Sequence, residues 1–313
     1  MKIGILTFHS ADNYGAVLQT YASVRFLRSR GHDAFVLDYR NGEIERAYAP
    51  FRWDAERYRN EGPVYALKYL PTSILRLCRK LSFNRFRSEY LPMLPFSKAC
   101  EMDLILVGSD QVWNKNHTGG YDPVYFGEVP AGLKKVAWAA SAGKAILSAK
   151  EISYAEKNFA AVSVREKNLA ESIPGSCLLP DPTSLLTSKE WDSIAGRVKG
   201  DYVLAYPMLH QQEVVEEARL KAKELNLALK VISPGIKLGS GWKQTSSPDE
   251  FVSLFKGAAY VVTSSFHGAV FTLLFERPHT FVHHGDPRFD TLLSSDISEG
   301  RSAAEAFLSK LGA

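Results

Sequence analysis

Residues 259–275 read AYVVTSSFHGAVFTLLF. A short β-branched run stops at two serines, and an apolar stretch at helical spacing follows His267 and Gly268. This pattern predicts a strand, a tight turn and a helix. In open α/β sheets, ligands bind where strands end and helices begin, because a helix N-terminus offers N–H groups to an anion. The alternative is a capped helix whose histidine bonds a backbone carbonyl.

The same alternation of strand and helix recurs along the chain, and the strand predicted at 103–107, which is apolar after Asp103, indicates burial on both faces, as in a parallel sheet. We therefore predict an α/β fold with two Rossmann-like domains facing a cleft. The first domain is residues 1–187, with a helical basic insertion at about 43–90 that is broken at Gly62-Pro63 and at Pro71. The second is residues 188–313.

Composition narrows the class of protein. The chain has 313 residues, 45% of them hydrophobic and 23% charged, which is typical of a globular protein. We find no apolar run long enough for a transmembrane helix and no signal peptide at the N-terminus. Cys78, Cys100 and Cys177 are far apart and lack metal-ligand spacing. These features predict a cytoplasmic protein.

Charge is concentrated in the insertion. From Arg40 to Tyr90 there are 11 Lys and Arg against 6 Asp and Glu, together with many aromatic residues. Such a surface suits an anionic membrane, an acidic glycan or a nucleic acid. The alternative is a helical insertion with solvated arginines. No nucleic-acid-binding signature accompanies the segment, so we predict no nucleic-acid partner.

Three further clusters follow predicted strands. After the first strand, Asn13 and Gly15 would let the backbone approach a ligand at a helix N-terminus, or simply cap that helix. After the strand at 103–107 comes a candidate sugar platform, for which a plain turn is the alternative. Its members are Ser109, Asp110, Gln111, Trp113 and Asn114.

Arg165 ends a short apolar strand, where a forked guanidinium suits a carboxylate or a phosphate. The alternative is an internal ion pair with Glu166 or Asp181. Together the clusters offer an arginine, a histidine and several hydroxyls to an anion. Walker A, G-x-S-x-G and H-E-x-x-H motifs and acidic metal clusters are absent from the sequence.

Five motifs in order resemble the polysaccharide pyruvyl transferase family. They read NYGAVLQTYA at 13–22, GSDQVWN at 108–114, SVRE at 163–166, DPT at 181–183 and TSSFHG at 263–268. The resemblance implies a glycosyltransferase-B-like fold. It also implies transfer of the pyruvyl group of phosphoenolpyruvate to a sugar, giving a pyruvate ketal and phosphate. No cofactor and no metal are expected, since arginine and a helix dipole can carry the charge of the leaving phosphate.

In this hypothesis, His267 is the acid or a phosphate contact and Arg165 holds the donor. Ser264, Ser265 and Gly268 form a phosphate cradle, and the sugar platform orients the acceptor. Some members carry Arg-x-His where this chain has Ser265-Phe266-His267. Either one of three other cations supplies the missing charge, Arg288, Lys243 or Arg277, or the donor differs.

Two alternatives stay open: a glycosyltransferase using a nucleotide sugar, and a non-catalytic glycan-binding relative. The expected partners are phosphoenolpyruvate and a sugar or oligosaccharide that can be lipid-linked. Because such acceptors lie at the inner face of the membrane, the basic insertion predicts weak peripheral attachment there.

Overall fold

The computed structural model describes residues 1–51, 55–129, 132–196, 200–237, 241–244, 246–294 and 297–312. The described chain forms two compact units. Unit 1 contains Met1–Ile44, Ser88–Trp191 and His283–Ala313. Unit 2 contains Glu45–Arg87 and Asp192–Val282. None of the described helices combines the length and apolarity that a transmembrane span requires.

Unit 1 contains a sheet of seven parallel strands in the order β3-β2-β1-β4-β5-β6-β7. The strands are β1 (Lys2–Leu6), β2 (Asp33–Asp38), β3 (Met93–Pro95), β4 (Leu104–Val107), β5 (Lys134–Ala140), β6 (Ala161–Val164) and β7 (Cys177–Leu178). The core strands are apolar because both faces are covered, and all four residues of β4 are buried.

Helices alternate with these strands along the chain. They are α1 (Tyr14–Arg28), α2 (Gly42–Ala47), α3 (Ala55–Glu61), α4 (Pro63–Tyr90), α5 (Lys115–Thr118), α6 (Ala149–Asn158), α7 (Lys167–Ser172) and α8 (Ser188–Trp191). Of these, α3 and most of α4 belong to unit 2. Helix α6 begins with a reciprocal cap between Ser148 and Glu151.

Unit 2 contains a sheet of four parallel strands in the order β11-β10-β8-β9. Its elements are β8 (Tyr202–Tyr206), α9 (Gln211–Glu224), β9 (Ala228–Val231), α10 (Pro248–Gly257), β10 (Tyr260–Thr263), α11 (Phe266–Leu274) and β11 (His279–Phe281). One face of α9 buries Val214 and Ala218 against Val203 and Val262 of the sheet. The chain ends with α12 (Pro287–Ser294) and α13 (Ile297–Ser309), which belong to unit 1.

Each sheet has a point where the strand order reverses. In unit 1 it lies between β1 and β4, and in unit 2 between β8 and β10. Ligands of open α/β sheets bind in the crevice at such points, beyond the carboxyl ends of the strands. At the first point Thr7 Oγ1 donates to the Ser109 carbonyl at 2.8 Å, and at the second Thr263 Oγ1 donates to the Tyr206 carbonyl at 2.8 Å.

The two parallel sheets confirm the predicted α/β fold class. The units differ from the predicted domains at the boundary, where residues 188–191 group with unit 1, and in two longer segments. Residues 45–87 group with unit 2, where Arg79 Nη1 lies 3.5 Å from the Ser233 carbonyl. Residues 283–313 group with unit 1, where Phe307 packs against Trp138 with ring centroids 6.1 Å apart.

The predicted break of the insertion at Pro71 is wrong, because α4 continues through this residue. Proline removes one backbone donor and so leaves the carbonyl four residues earlier without its helical partner. That carbonyl belongs to Leu67, whose residue is 75% exposed. Water can therefore bond to it, which makes the proline tolerable.

Candidate functional site

A cluster of charged side chains lies in unit 1. It comprises Asp110 after β4, Arg165 and Glu166 after β6, Asp181 after β7, and Asp286 and Arg288 at the start of α12. We call this set the charged cluster. Four of these residues follow strands at the carboxyl edge of the sheet. The other two, Asp286 and Arg288, come from the start of α12, a segment that the sequence analysis assigned to the second domain.

The turn after β4 is tightly fitted. Gly108 has φ 120°, and a Cβ there would lie 2.3 Å from the Trp138 carbonyl oxygen, so the position requires glycine. Ser109 is fully buried, and its hydroxyl donates to the Ala139 carbonyl at 2.7 Å. Asp110 has φ 70° and accepts a hydrogen bond from the Gln111 amide at 2.8 Å. The turn thus presents Asp110 at the sheet edge while Ser109 holds the backbone.

Arg165 is 3% exposed and forms an ion pair with Asp181. Its Nη2 also lies 3.7 Å from Asp110 Oδ1. Asp181 in turn accepts hydrogen bonds from the amide and hydroxyl of Thr183, at 2.9 and 2.6 Å. The internal pair with Asp181, which the sequence left as an alternative, is therefore present. Arg165 links the end of β6 to the turn that follows β7.

Glu166 is a residue that the sequence analysis did not select. It is fully buried, and its Oε1 accepts hydrogen bonds from the Ser141 hydroxyl and, at 3.2 Å, from the Gly143 amide. Its Oε2 accepts no hydrogen bond from the described residues. Burial raises the pKa of the Glu166 carboxyl, against the lowering effect of Arg165, Ser141 and Arg288. Its position next to Arg165 is the feature of the sequence that could have identified Glu166 as a candidate site residue.

Arg288 donates two hydrogen bonds to the Asp286 carboxylate, from Nε at 3.0 Å and from Nη2 at 2.7 Å. Burial lowers the pKa of Arg288, but Asp286, Glu166 and Asp110 together raise it above its usual value. Asp286 was also missed, because it precedes a proline in a segment without a strand pattern. The charges that act on Arg288 are therefore those of the charged cluster in unit 1.

The predicted sugar platform is only partly available at the surface. Trp113 is 1% exposed; its indole N–H donates to the Tyr125 carbonyl at 2.8 Å, and its ring stacks on Phe126. We therefore correct the prediction that Trp113 stacks on a sugar: the ring is a core residue. Asn114 caps α5 and donates to Gln111 Oε1 at 2.7 Å. Gln111 is half-buried and is the more accessible amide of the two.

In the described part of the chain, the residues that follow β1 form hydrogen bonds within the protein that stabilise the fold. Asn13 caps α1 by accepting from the Ala16 amide at 3.3 Å, and Gly15 is buried in the first turn of that helix. His9 is fully buried between the Thr7 carbonyl and Asp38. The hydrogen bond to His9 is the main reason that the pKa of Asp38 lies well below its usual range.

In unit 2, residues 263–268 form the predicted turn between β10 and α11, which we call the 263–268 turn. Ser265 caps α11 by accepting from the Gly268 amide at 3.2 Å. Ser264 accepts from the Leu209 amide at 2.9 Å and donates to the Leu209 carbonyl. Both hydroxyls and the Gly268 N–H, which the sequence assigned to a phosphate cradle, thus hold the turn together.

His267 differs from its neighbours in exposure. Thr263, Ser264, Ser265, Phe266 and Gly268 are all buried, whereas His267 is half-buried at the start of α11. The turn therefore presents one titratable side chain at a helix N-terminus beyond a parallel strand. His267 belongs to unit 2 and Arg165 to unit 1.

Each proposed replacement for the missing arginine has a partner of its own. Lys243 pairs with Glu250. Arg277 donates to the Phe275 carbonyl at 2.6 Å. Arg288 pairs with Asp286 in unit 1, as described above.

With this geometry in place, comparison with known proteins gives the family. The sequence profile described as "Polysaccharide pyruvyl transferase" matches residues 13–286. The chain belongs to the polysaccharide pyruvyl transferase family. The match begins at Asn13 and ends at Asp286, so it confirms the resemblance across all five motifs. No curated protein sequence matches this family member at a significant level.

Solved structures similar to this family member include enzymes of sugar metabolism. The UDP-GlcNAc 2-epimerase of Methanocaldococcus jannaschii is 13% identical, with 100% of this chain and 99% of that chain covered and a TM-score of 0.45. The Streptomyces sp. SF2575 glycosyltransferase SsfS6 is 12% identical, with coverage of 93% and 84% and a TM-score of 0.39. The E. coli heptosyltransferase WaaC is 11% identical, with 100% coverage of both chains and a TM-score of 0.33.

Proposed function

We propose that this chain transfers the pyruvyl group of phosphoenolpyruvate to a sugar of a surface polysaccharide or its precursor, forming a cyclic ketal and releasing phosphate. Family membership supports a transferase that acts on polysaccharide. The observation that carries the proposal is His267, a half-buried imidazole at the N-terminus of α11 in an otherwise buried turn. A helix N-terminus attracts anions, and imidazole can transfer a proton.

The proposed reaction balances without a redox step. A proton adds to the methylene carbon of phosphoenolpyruvate. Two sugar hydroxyls each form a bond to the adjacent carbon, and the bond from that carbon to the phosphate oxygen breaks. Of the two protons that the hydroxyls lose, one replaces the proton delivered to the methylene group, and the other leaves with phosphate. A positioned acid contributes about 10²–10⁴-fold to such a proton transfer.

His267 is our first candidate for this acid or for a phosphate contact. Glu166 is the second candidate for the acid, because one of its oxygens accepts no hydrogen bond from the described residues. Burial raises the pKa of Glu166, so the carboxyl keeps its proton at higher pH than an exposed glutamate. Arg165 and Arg288 are the proposed contacts for the donor anion in unit 1, and Gln111 is the proposed contact for the acceptor sugar.

The function is tested by measuring phosphate release from phosphoenolpyruvate with a panel of nucleotide-linked and lipid-linked sugars. We expect release with at least one acceptor, and a product whose mass fits a pyruvate ketal. Nucleotide release from a nucleotide sugar, without use of phosphoenolpyruvate, would identify a glycosyltransferase and contradict the proposal. Glycan binding without any turnover would identify a binding protein.

Two variants then distinguish the proton donors. If His267 acts as the acid, His267→Gln lowers kcat by at least about 100-fold, the usual scale for losing such a group. The matched control is His279→Gln, an exposed histidine at the start of β11, which should keep full activity. If Glu166 acts instead, Glu166→Gln gives the loss, and the wild-type rate falls as pH rises through the raised pKa of Glu166. Equal activity in both variants and the wild type would remove both residues from the mechanism.

A further inference from the structure

Helix α4 carries a continuous apolar stripe on its exposed side. Five residues define it, with exposed fractions of 54%, 75%, 53%, 49% and 59%: Val64, Leu67, Leu70, Ile74 and Leu81. We call them the α4 stripe. Their spacings of 3, 3, 4 and 7 residues place them on one face of a helix. Large apolar side chains grouped in this way mark an interaction surface, unlike single exposed leucines.

The opposite face of α4 is the one that the fold uses. Tyr65, Phe83 and Phe86 are 6%, 0% and 1% exposed. Arg79 and Arg87 lie over the Phe83 ring, with guanidinium carbons 5.1 and 5.7 Å from its centroid. Packing of α4 therefore depends on these inner residues, and the α4 stripe is not needed to hold the helix in unit 2.

The positive charge of α4 indicates an anionic partner. Residues 63–88 contain six Lys and Arg and no Asp or Glu. Arg85 is exposed, and Arg76 and Lys80 are half-buried, so part of this charge reaches the surface of the helix. A second copy of the chain docked through α4 would bring together two helices of net positive charge, each with six Lys and Arg and with Glu89 as its one acidic residue. An anionic lipid surface complements the charge and also accepts the apolar side chains.

We propose that the α4 stripe lies in the interface of an anionic membrane, with the helix axis along the surface. The leucines enter the boundary between headgroups and acyl chains, and the exposed Arg85 and the half-buried Arg76 and Lys80 contact lipid phosphates. A helix of this length is about 42 Å long, at 1.5 Å per residue. The inference goes beyond the proposed reaction and does not depend on it, because it concerns α4 and no residue of the charged cluster or the 263–268 turn.

The experiment is co-sedimentation of the full chain with vesicles, without substrates. We expect binding to an equimolar mixture of phosphatidylglycerol and phosphatidylcholine at low salt, and little binding to phosphatidylcholine alone. Binding should weaken at about 1 M salt, where screening shortens the electrostatic reach to about 3 Å. If the wild-type chain stays in the supernatant with anionic vesicles at low salt, the proposal is overturned.

The variants separate apolar insertion from simple charge attraction. Leu67→Ser, Leu70→Ser and Leu81→Ser combined should lower vesicle partitioning at least about tenfold, since each removes apolar surface from the interface. The matched control combines Leu209→Ser, Leu220→Ser and Leu225→Ser, whose leucines are 50%, 65% and 41% exposed outside α4. This control should bind like the wild type. If the stripe variant binds vesicles as well as the wild type does, the membrane assignment is overturned. It is also overturned if the wild type and the control are dimers and the stripe variant is a monomer.

Discussion

Single residues show that the motifs selected from the sequence contain side chains of very different exposure. Trp113 and His267 were both selected from the sequence for their chemistry. In the structure Trp113 is 1% exposed and bonded to a backbone carbonyl, whereas His267 is half-buried at a helix start. Residue type predicted the candidates, but packing decided how far each side chain is exposed.

Arg165→Ala should lower the free energy of unfolding by about 3–5 kcal/mol, because it removes the guanidinium from a buried ion pair and leaves the charge of Asp181 uncompensated by it. Arg165→Lys should recover only part of this loss, since an ammonium cannot reproduce the guanidinium fork. Chemical denaturation at neutral pH measures both effects.

The matched control for Arg165 is Arg40→Ala. Arg40 also pairs with an aspartate, Asp38, at 2.7 Å, but its side chain is 51% exposed. Exposed pairs contribute less than about 1 kcal/mol, so this variant should be nearly as stable as the wild type. If Arg165→Ala is equally mild, Arg165 is not a structural residue, and a role in donor binding alone would explain its position.

At the scale of elements, both units have a threonine hydrogen bond at the point where the strand order reverses. Thr7 directly follows β1 and donates to the Ser109 carbonyl in the turn after β4, and Thr263 ends β10 and donates to the Tyr206 carbonyl at the end of β8. Thr263 Oγ1 also accepts from the Ser265 amide at 3.0 Å, so it fixes both the sheet edge and the turn that leads into α11. The first residues of α11 are therefore positioned by the sheet.

This arrangement predicts the effect of Gly268→Ala. A Cβ at Gly268 would lie 2.7 Å from Thr263 Oγ1, which two hydrogen bonds hold in place. We expect a loss of about 1–3 kcal/mol from overpacking, although alanine normally favours a helix. The control is Gly42→Ala in α2, where a Cβ would meet no atom within 4 Å. Thermal unfolding compares the two, and a Gly268→Ala variant as stable as the control would contradict the proposed tight fit.

At the scale of the molecule, the C-terminal helix returns to unit 1. Phe307 packs on Trp138, Arg301 donates to the Leu185 carbonyl at 3.0 Å, and Lys134 donates to the Leu311 carbonyl at 2.6 Å. These contacts join α13 to strands and turns more than a hundred residues earlier in the chain. Residues of α13 therefore form part of the packing of unit 1.

Phe307→Ala should destabilise unit 1 by about 3–5 kcal/mol, because it leaves a cavity where a side chain 7% exposed packs on the sheet. Hydrogen exchange should show faster exchange in β4 and β5, with little change in β8 and β10. The control is Leu293→Ala, which truncates a residue of α12 that is 48% exposed. Equal acceleration of exchange in both sheets would show that α13 does not stabilise unit 1 selectively.

The sequence by itself determined the family and the α/β class, because these depend on local periodicity and ordered motifs. It marked the buried strand at 103–107, where the structure has β4, and the 263–268 turn. Tertiary structure alone decided that Arg165 pairs with Asp181, that Trp113 is buried, and that α13 belongs to unit 1. Such facts depend on contacts between residues distant along the chain, and the local pattern of a sequence does not encode which distant segments meet.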